Sequence, residues 1–172
     1  MKFDNSKVRR QDRLLDEARA REILANAEYG YLSIIDLDGE PYGVPVNFVW
    51  DSEGLGDCIY LHCASEGRKI DILECHDRVS FCVVGNVSLK PSQFTTEYES
   101  IILTGEATIC TGDEERMYAL ELLLKKFSPN DIETGMKYAR KSFYRTEIVR
   151  IDIETWSGKC KRGEREVGRG KR

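Results

Sequence analysis

Apolar positions change period several times along the chain, and each change marks an element. From Gln11 to Glu28, Leu14, Leu15, Ala18, Ile23, Leu24 and Ala27 gather near one face of a helical turn while Arg and Glu fill the other. That spacing predicts an amphipathic helix ending before Gly30, with residues 1–10 ahead of it as a polar arm. Tyr31–Ile35 and Tyr42–Trp50 are rich in β-branched and aromatic residues and predict two strands, reversed by Asp36-Leu37-Asp38-Gly39-Glu40. A second Gly- and Asp-rich turn, 51–57, leads to a strand over Cys58–Cys63 and then a helical turn over Ile70–Glu74. Arg78–Gly85 is apolar on both parities and predicts a buried strand, while Asn86–Phe94 mixes turn and strand ingredients. Thr95–Ile109 predicts a long strand in which Gly105 marks a bend or bulge. Met117, Leu120, Leu123, Leu124 and Phe127 share a stripe that predicts a helix over Asp113–Phe127, stopped by Ser128-Pro129. Ile132–Ser142 predicts a second helix and the alternation in Phe143–Ile153 a last strand.

Six or seven strands joined mostly by short reversals, with helices early and late, predict a mostly β protein: an antiparallel barrel with peripheral helices outside it. The 172 residues show no internal repeat and no domain boundary, so one domain is expected over 1–172. A chain of this size buries about 70% of its unfolded surface, enough for a core without staples.

Charge refines the picture at one end only. The formal net charge is −4, but from Lys159 onward seven Lys/Arg face two Glu, a local +5. This basic tail has few apolar groups and is expected to be disordered or draped over a neighbour. No aromatic is interleaved among its cations, so nucleic acid is not an expected partner. No apolar run approaches a membrane span, and the first ten residues hold no apolar leader core, which leads us to expect a cytoplasmic protein with no membrane partner.

None of the six cysteines forms a C-x-x-C pair, so they read as reduced thiols, with Cys63, Cys82 and Cys110 as small core residues. Cys75-His76 has no third ligand nearby, and no metal site is expected. Asp36-x-Asp-Gly has the look of a calcium loop, but the twelfth position is Asn47 where that loop needs Glu.

The candidate chemistry lies at Gly67-Arg68-Lys69, where a strand is expected to pass into a helix. Lysine supplies a point charge and arginine a bidentate fork, a pair suited to a phosphate, although a solvated basic turn has the same composition. The surrounding residues carry a resemblance. Tyr42-Gly43-Val44-Pro45-Val46-Asn47, Ile59-Tyr60-Leu61-His62, Glu66-Gly67-Arg68-Lys69, Arg78–Gly85 and Tyr98–Ala107 stand in an order that resembles the flavin-binding split-barrel proteins related to pyridoxamine 5′-phosphate oxidase. Within that group the chain looks most like the branch of the nitroimidazole-resistance (Nim) proteins, over roughly residues 10 to 157.

The resemblance implies a six-stranded antiparallel split β-barrel, a homodimer, and flavin mononucleotide (FMN) at the interface between the two copies. It places the cofactor phosphate on Gly67, Arg68 and Lys69, and the flavin ring against the backbone of Pro45, Val46 and Asn47. Tyr60 and His62 become cofactor-proximal residues, with His62 the candidate catalytic group because imidazole exchanges a proton near neutral pH. A structural histidine at a strand end is the alternative. Ser100 falls where relatives place a glutamine against the flavin, and Trp156 is a candidate for stacking at the ring edge, with a core or interface position as the alternative. The true oxidases carry C-terminal arginine and histidine residues for their substrate. Here the two histidines are His62 and His76, so vitamin B6 oxidation is not expected.

The function implied is an FMN-dependent oxidoreductase passing electrons from a reduced nicotinamide to a small acceptor such as a nitroaromatic. Without a G-x-G-x-x-G loop the nicotinamide is expected to bind transiently. The other reading is a carrier or sensor that holds flavin, or haem, without turnover.

Overall fold

The computed structural model describes residues 1–54 and 56–162. The predicted first helix divides. Gln11–Arg13 make one 3₁₀ turn, and α1 spans Glu17–Asn26, capped by the Asp16 carboxylate, which accepts the Arg19 N–H at 2.8 Å. Between them Leu15 is pinned in the core, 1% exposed, with its N–H on the Gly158 carbonyl at 3.1 Å, so the backbone there is held extended. The arm before it is not free either: β1, Lys2–Phe3, pairs in parallel with β8, Thr146–Lys161, and Phe3 meets Trp156 edge-on at 4.9 Å.

The remaining strands are β2 (Tyr29–Ile35), β3 (Pro41–Asn47), β4 (Val49–Asp51), β5 (Cys58–Ala64), β6 (Arg78–Lys90) and β7 (Thr95–Ile109). They lie in the order β3-β2-β6-β7-β8-β5-β4, antiparallel throughout, and the sheet curls into a split barrel. Among the described residues there are eight strands rather than six. One of the extra pieces is β1; the other is β4, because the predicted strand Tyr42–Trp50 breaks at Phe48. That side chain turns fully inward against Phe81, ring centroids 5.1 Å apart, and its carbonyl takes the Lys126 ammonium at 2.9 Å.

The other helices among the described residues are α2 (Arg68–Leu73), α3 (Asp113–Phe127) and α4 (Ile132–Ser142). Phe48, Leu61, Phe81, Ile101, Leu103 and Ile151 fill the barrel, and a second cluster of Cys58, Tyr60, Cys110, Ala119, Leu123 and Ile148 packs beneath α3. Burial pushes the Cys110 thiol up to about 12 and Cys58 up to about 11, which keeps both protonated and unreactive. Cys63 and Cys82 are half-buried, less enclosed than expected. The expected tail is ordered as far as β8 runs, since Trp156, Gly158 and Cys160 face inward; residues 163–172 lie outside the described residues.

Gly105 sits at a register shift between β7 and β8, as its position in the sequence predicts. A Cβ there would lie 2.0 Å from the Asp152 carbonyl oxygen, a backbone atom that cannot move aside cheaply. Gly105→Ala is therefore expected to destabilise the protein by about 3 kcal/mol. A thermal melt checks it, with a midpoint roughly 6–12 °C lower.

Candidate functional site

The site begins at the β2–β3 turn. Asp36 Oδ1 accepts the N–H groups of Asp38 at 3.1 Å and Glu40 at 2.9 Å, and Gly39 takes a φ of +83° that suits glycine. With one oxygen fixed by the turn, Oδ2 accepts from Arg68 Nη2 at 2.7 Å. The same guanidinium lies over the Tyr42 ring, 4.5 Å from its centroid. The Arg68 bond, more than the turn's N–H groups, holds the Asp36 carboxyl below the usual carboxylate range.

Arg68 opens α2 directly after Gly67, whose φ of +125° and ψ of 161° fall where side chains are strained. Lys69 stands beside Cys63 and His62 at the end of β5. Burial, and after it the Lys69 ammonium, lower the His62 pKa, so the imidazole is neutral at pH 7 although the residue keeps exposed surface. His62 also borders a cleft of about 510 Å³ between α3 and α4. Its wall is mostly apolar, from Leu120, Leu123, Leu124 and Phe127, with Asp131 and Thr134 as polar points and an exposed Tyr138 at the mouth. That size and lining suit a small organic molecule.

Pro45, Val46 and Asn47 lie on β3, an edge strand: β2 covers one side and, among the described residues, no strand pairs with the other. Pro45 and Asn47 are exposed, Val46 leans into the core, and Asn47 Nδ2 donates to the Glu28 carbonyl at 2.9 Å. The edge passes near β5; Arg68 meets the turn end of β3 at Asp36 and Tyr42, Asn47 lies at the other end beside Glu28, and Lys69 neighbours His62 at the end of β5.

Three of the expected residues do not line this corner within the chain. Tyr60 is fully buried on the α3 side of β5, where its hydroxyl donates to Glu115 Oε1 at 3.0 Å. Trp156 is 2% exposed, on the inward parity of β8, between Phe3 and the Arg21 guanidinium. Both are core side chains, and neither forms a wall of this region. Ser100 faces out from the middle of β7, with Val84 and Lys159 as register partners.

Sequence reasoning missed Asp36 and Tyr42 as partners of Arg68, the α3–α4 cleft, and Lys126. Burial pushes the Lys126 ammonium down to about 8, and it sits over the Phe48 ring at 4.3 Å. Its only signal in sequence is a lysine beside an apolar stripe, which many solvated helices show.

A split barrel with a basic strand-to-helix corner defines a class that sequence comparison also finds. The family model described as pyridoxamine 5′-phosphate oxidase matches residues 16–160, and the chain belongs to that family. Among solved structures it is similar to a candidate 5-nitroimidazole antibiotic resistance protein from Bacteroides thetaiotaomicron, at 22% identity over 86% of each chain and a TM-score of 0.69. An FAD and heme binding protein from Mycobacterium smegmatis shares 19% identity over 89% of this chain and 75% of its own, with a TM-score of 0.74. The flavocytochrome Anf3 from Azotobacter vinelandii shares 20% identity over 86% of this chain and 68% of its own, with a TM-score of 0.67. No curated protein matches the sequence. At these identities the structural likeness establishes the fold; the expected family is the one the family model finds, and a candidate nitroimidazole resistance protein is among the structures that share the fold.

Proposed function

We propose that the chain is a flavoprotein that binds FMN and passes electrons from a reduced nicotinamide to a small acceptor such as a nitroaromatic. The observation that best supports this reading is the basic corner of Arg68 and Lys69, with Arg68 against the strand β3 whose other edge is unpaired and Lys69 beside a neutral histidine that borders an apolar cleft.

The residues present fit the group. Two adjacent cations suit a phosphate dianion, and Arg68 already holds one anion, the Asp36 carboxylate. The free edge of β3 offers backbone N–H and C=O groups to a heterocycle, as Pro45, Val46 and Asn47 were expected to do. When bound, FMN supplies the electron and hydride chemistry that side chains lack. His62, uncharged and with exposed surface, accepts or donates a hydrogen bond beside the cleft. The cleft excludes water from an apolar acceptor through its Leu and Phe wall.

Homodimer formation is part of the proposal. Tyr31, Cys82 and Ile102 are register neighbours on the outer face of the sheet, and Tyr31 is 48%, Val84 58% and Ile102 50% exposed. A continuous apolar patch on a sheet face marks an interaction surface. Ser100 belongs to that face.

The second reading, a flavin or haem carrier or sensor, is favoured by one observation: among the described residues no hydrogen-bonding partner orients His62 for acid–base work. Anaerobic addition of NADH or NADPH to FMN-loaded protein separates the two. Turnover predicts bleaching of the flavin band near ~450 nm, whereas a band that persists with both donors supports the carrier or sensor.

A further inference from the structure

We propose that Asp36 is a positioning residue for phosphate recognition: with Tyr42 it fixes the Arg68 guanidinium so that its remaining donors are presented to an anion. This rests on Arg68 being a phosphate contact, as argued above. The Asp36 side chain is 14% exposed against 55% for Arg68, so the carboxylate is the rigid partner and the arginine the mobile one. Its rigidity has a visible cause. Oδ1 is held by two backbone N–H groups of its own turn, so Oδ2 cannot follow Arg68 if the arginine swings away.

Only Nη2 of Arg68 is engaged, and the Tyr42 face supports the guanidinium from one side. The other donors of the fork have no partner among the described residues. Two effects compete here. A free arginine loses rotamer freedom when it grips a ligand, worth up to roughly thirtyfold in affinity, and a side chain already fixed loses less. Against this, a carboxylate near a phosphate repels it, by roughly fivefold or more, although the Asp36 charge is offset by the Arg68 guanidinium it bonds at 2.7 Å. On this proposal orientation outweighs what repulsion is left, so that the Asp-x-Asp-Gly turn, which reads in sequence as a mere reversal, serves the site.

The test is a flavin-fluorescence titration of the full chain with FMN and, separately, riboflavin, which lacks the phosphate. Asp36→Asn keeps an oxygen for the turn's N–H groups but removes the negative charge that faces Arg68. It is expected to weaken FMN binding roughly tenfold and to leave riboflavin within twofold. Tyr42→Phe keeps the aromatic face and is expected to match wild type, whereas Tyr42→Leu is expected to lose about threefold for FMN alone. If Asp36→Asn fails to fold, Asp36→Ser, which keeps an oxygen for the turn and also lacks the charge, carries the test with the same expected losses. Unchanged or tighter FMN binding in Asp36→Asn, or an equal loss for riboflavin, overturns the positioning role. If wild type itself does not prefer FMN over riboflavin, the phosphate reading of Arg68 falls, and this inference with it.

Discussion

Replacing both Arg68 and Lys69 with alanine is expected to weaken FMN binding by a hundredfold or more while leaving riboflavin binding nearly unchanged. A hydrogen bond to a charged group is worth about 1.5–3 kcal/mol. Arg68 is 55% exposed, so the lower end applies. Two such contacts total about 3 kcal/mol, a factor of roughly 150 in the dissociation constant. Arg68→Lys should recover part of the loss, because it restores charge without the fork. Fluorescence titration at two ionic strengths checks the prediction, since the wild-type preference for FMN should shrink with added salt. A double variant that binds FMN as tightly as wild type would remove these residues from the cofactor site.

The second large effect concerns stability. Glu99 on β7 is buried to 8% of its side chain and accepts from Arg19 Nη2 at 2.7 Å, Asn86 Nδ2 at 2.7 Å and Arg162 Nη2 at 3.1 Å. It therefore ties α1 and the β6–β7 region to the end of β8. Arg19 is the main cause that holds its carboxyl down at about 2, well below the ordinary value of 4.5. A depressed folded value means the stabilisation is present above the unfolded value and is lost as pH falls from about 5 toward 2. Its size is about 3 kcal/mol at pH 7. Glu99→Gln should lower the urea midpoint strongly at pH 7, and the gap to wild type should narrow by pH 3. A gap that stays constant with pH would show that the contact is steric rather than ionic.

How much of this was legible in the sequence depended on how local each cause was. α3, α4 and β7 match their expected bounds, because a full apolar stripe or alternation ends at clear stops such as Ser128-Pro129. The first helix was misread because Leu14 and Leu15 fit its apolar face, while the reason they leave it lies far away. Gly158 comes close enough that a Cβ there would sit 2.8 Å from Leu15 Cβ. That same contact explains the late end of β8, where small inward residues, Gly158 and Cys160, look like a polar tail when read alone.

The site followed the same rule. Gly67-Arg68-Lys69 was legible as a contiguous run. The Asp36 partner of Arg68 lies 32 residues away in the chain, and nothing local joins them. Tyr60 could not be assigned to a face from sequence because Cys58, Ile59, Tyr60 and Leu61 are all buried: β5 has the barrel core on one face and α3 on the other. Without alternation, parity could not tell which side chains meet the open end.

The central claim, that this barrel holds FMN, is tested most directly by an absorbance spectrum taken after adding FMN and desalting the protein. The account predicts a retained band near ~450 nm corresponding to about one flavin per chain. A desalted protein with no flavin band would contradict it, leaving the family and the fold without the cofactor proposed for this chain.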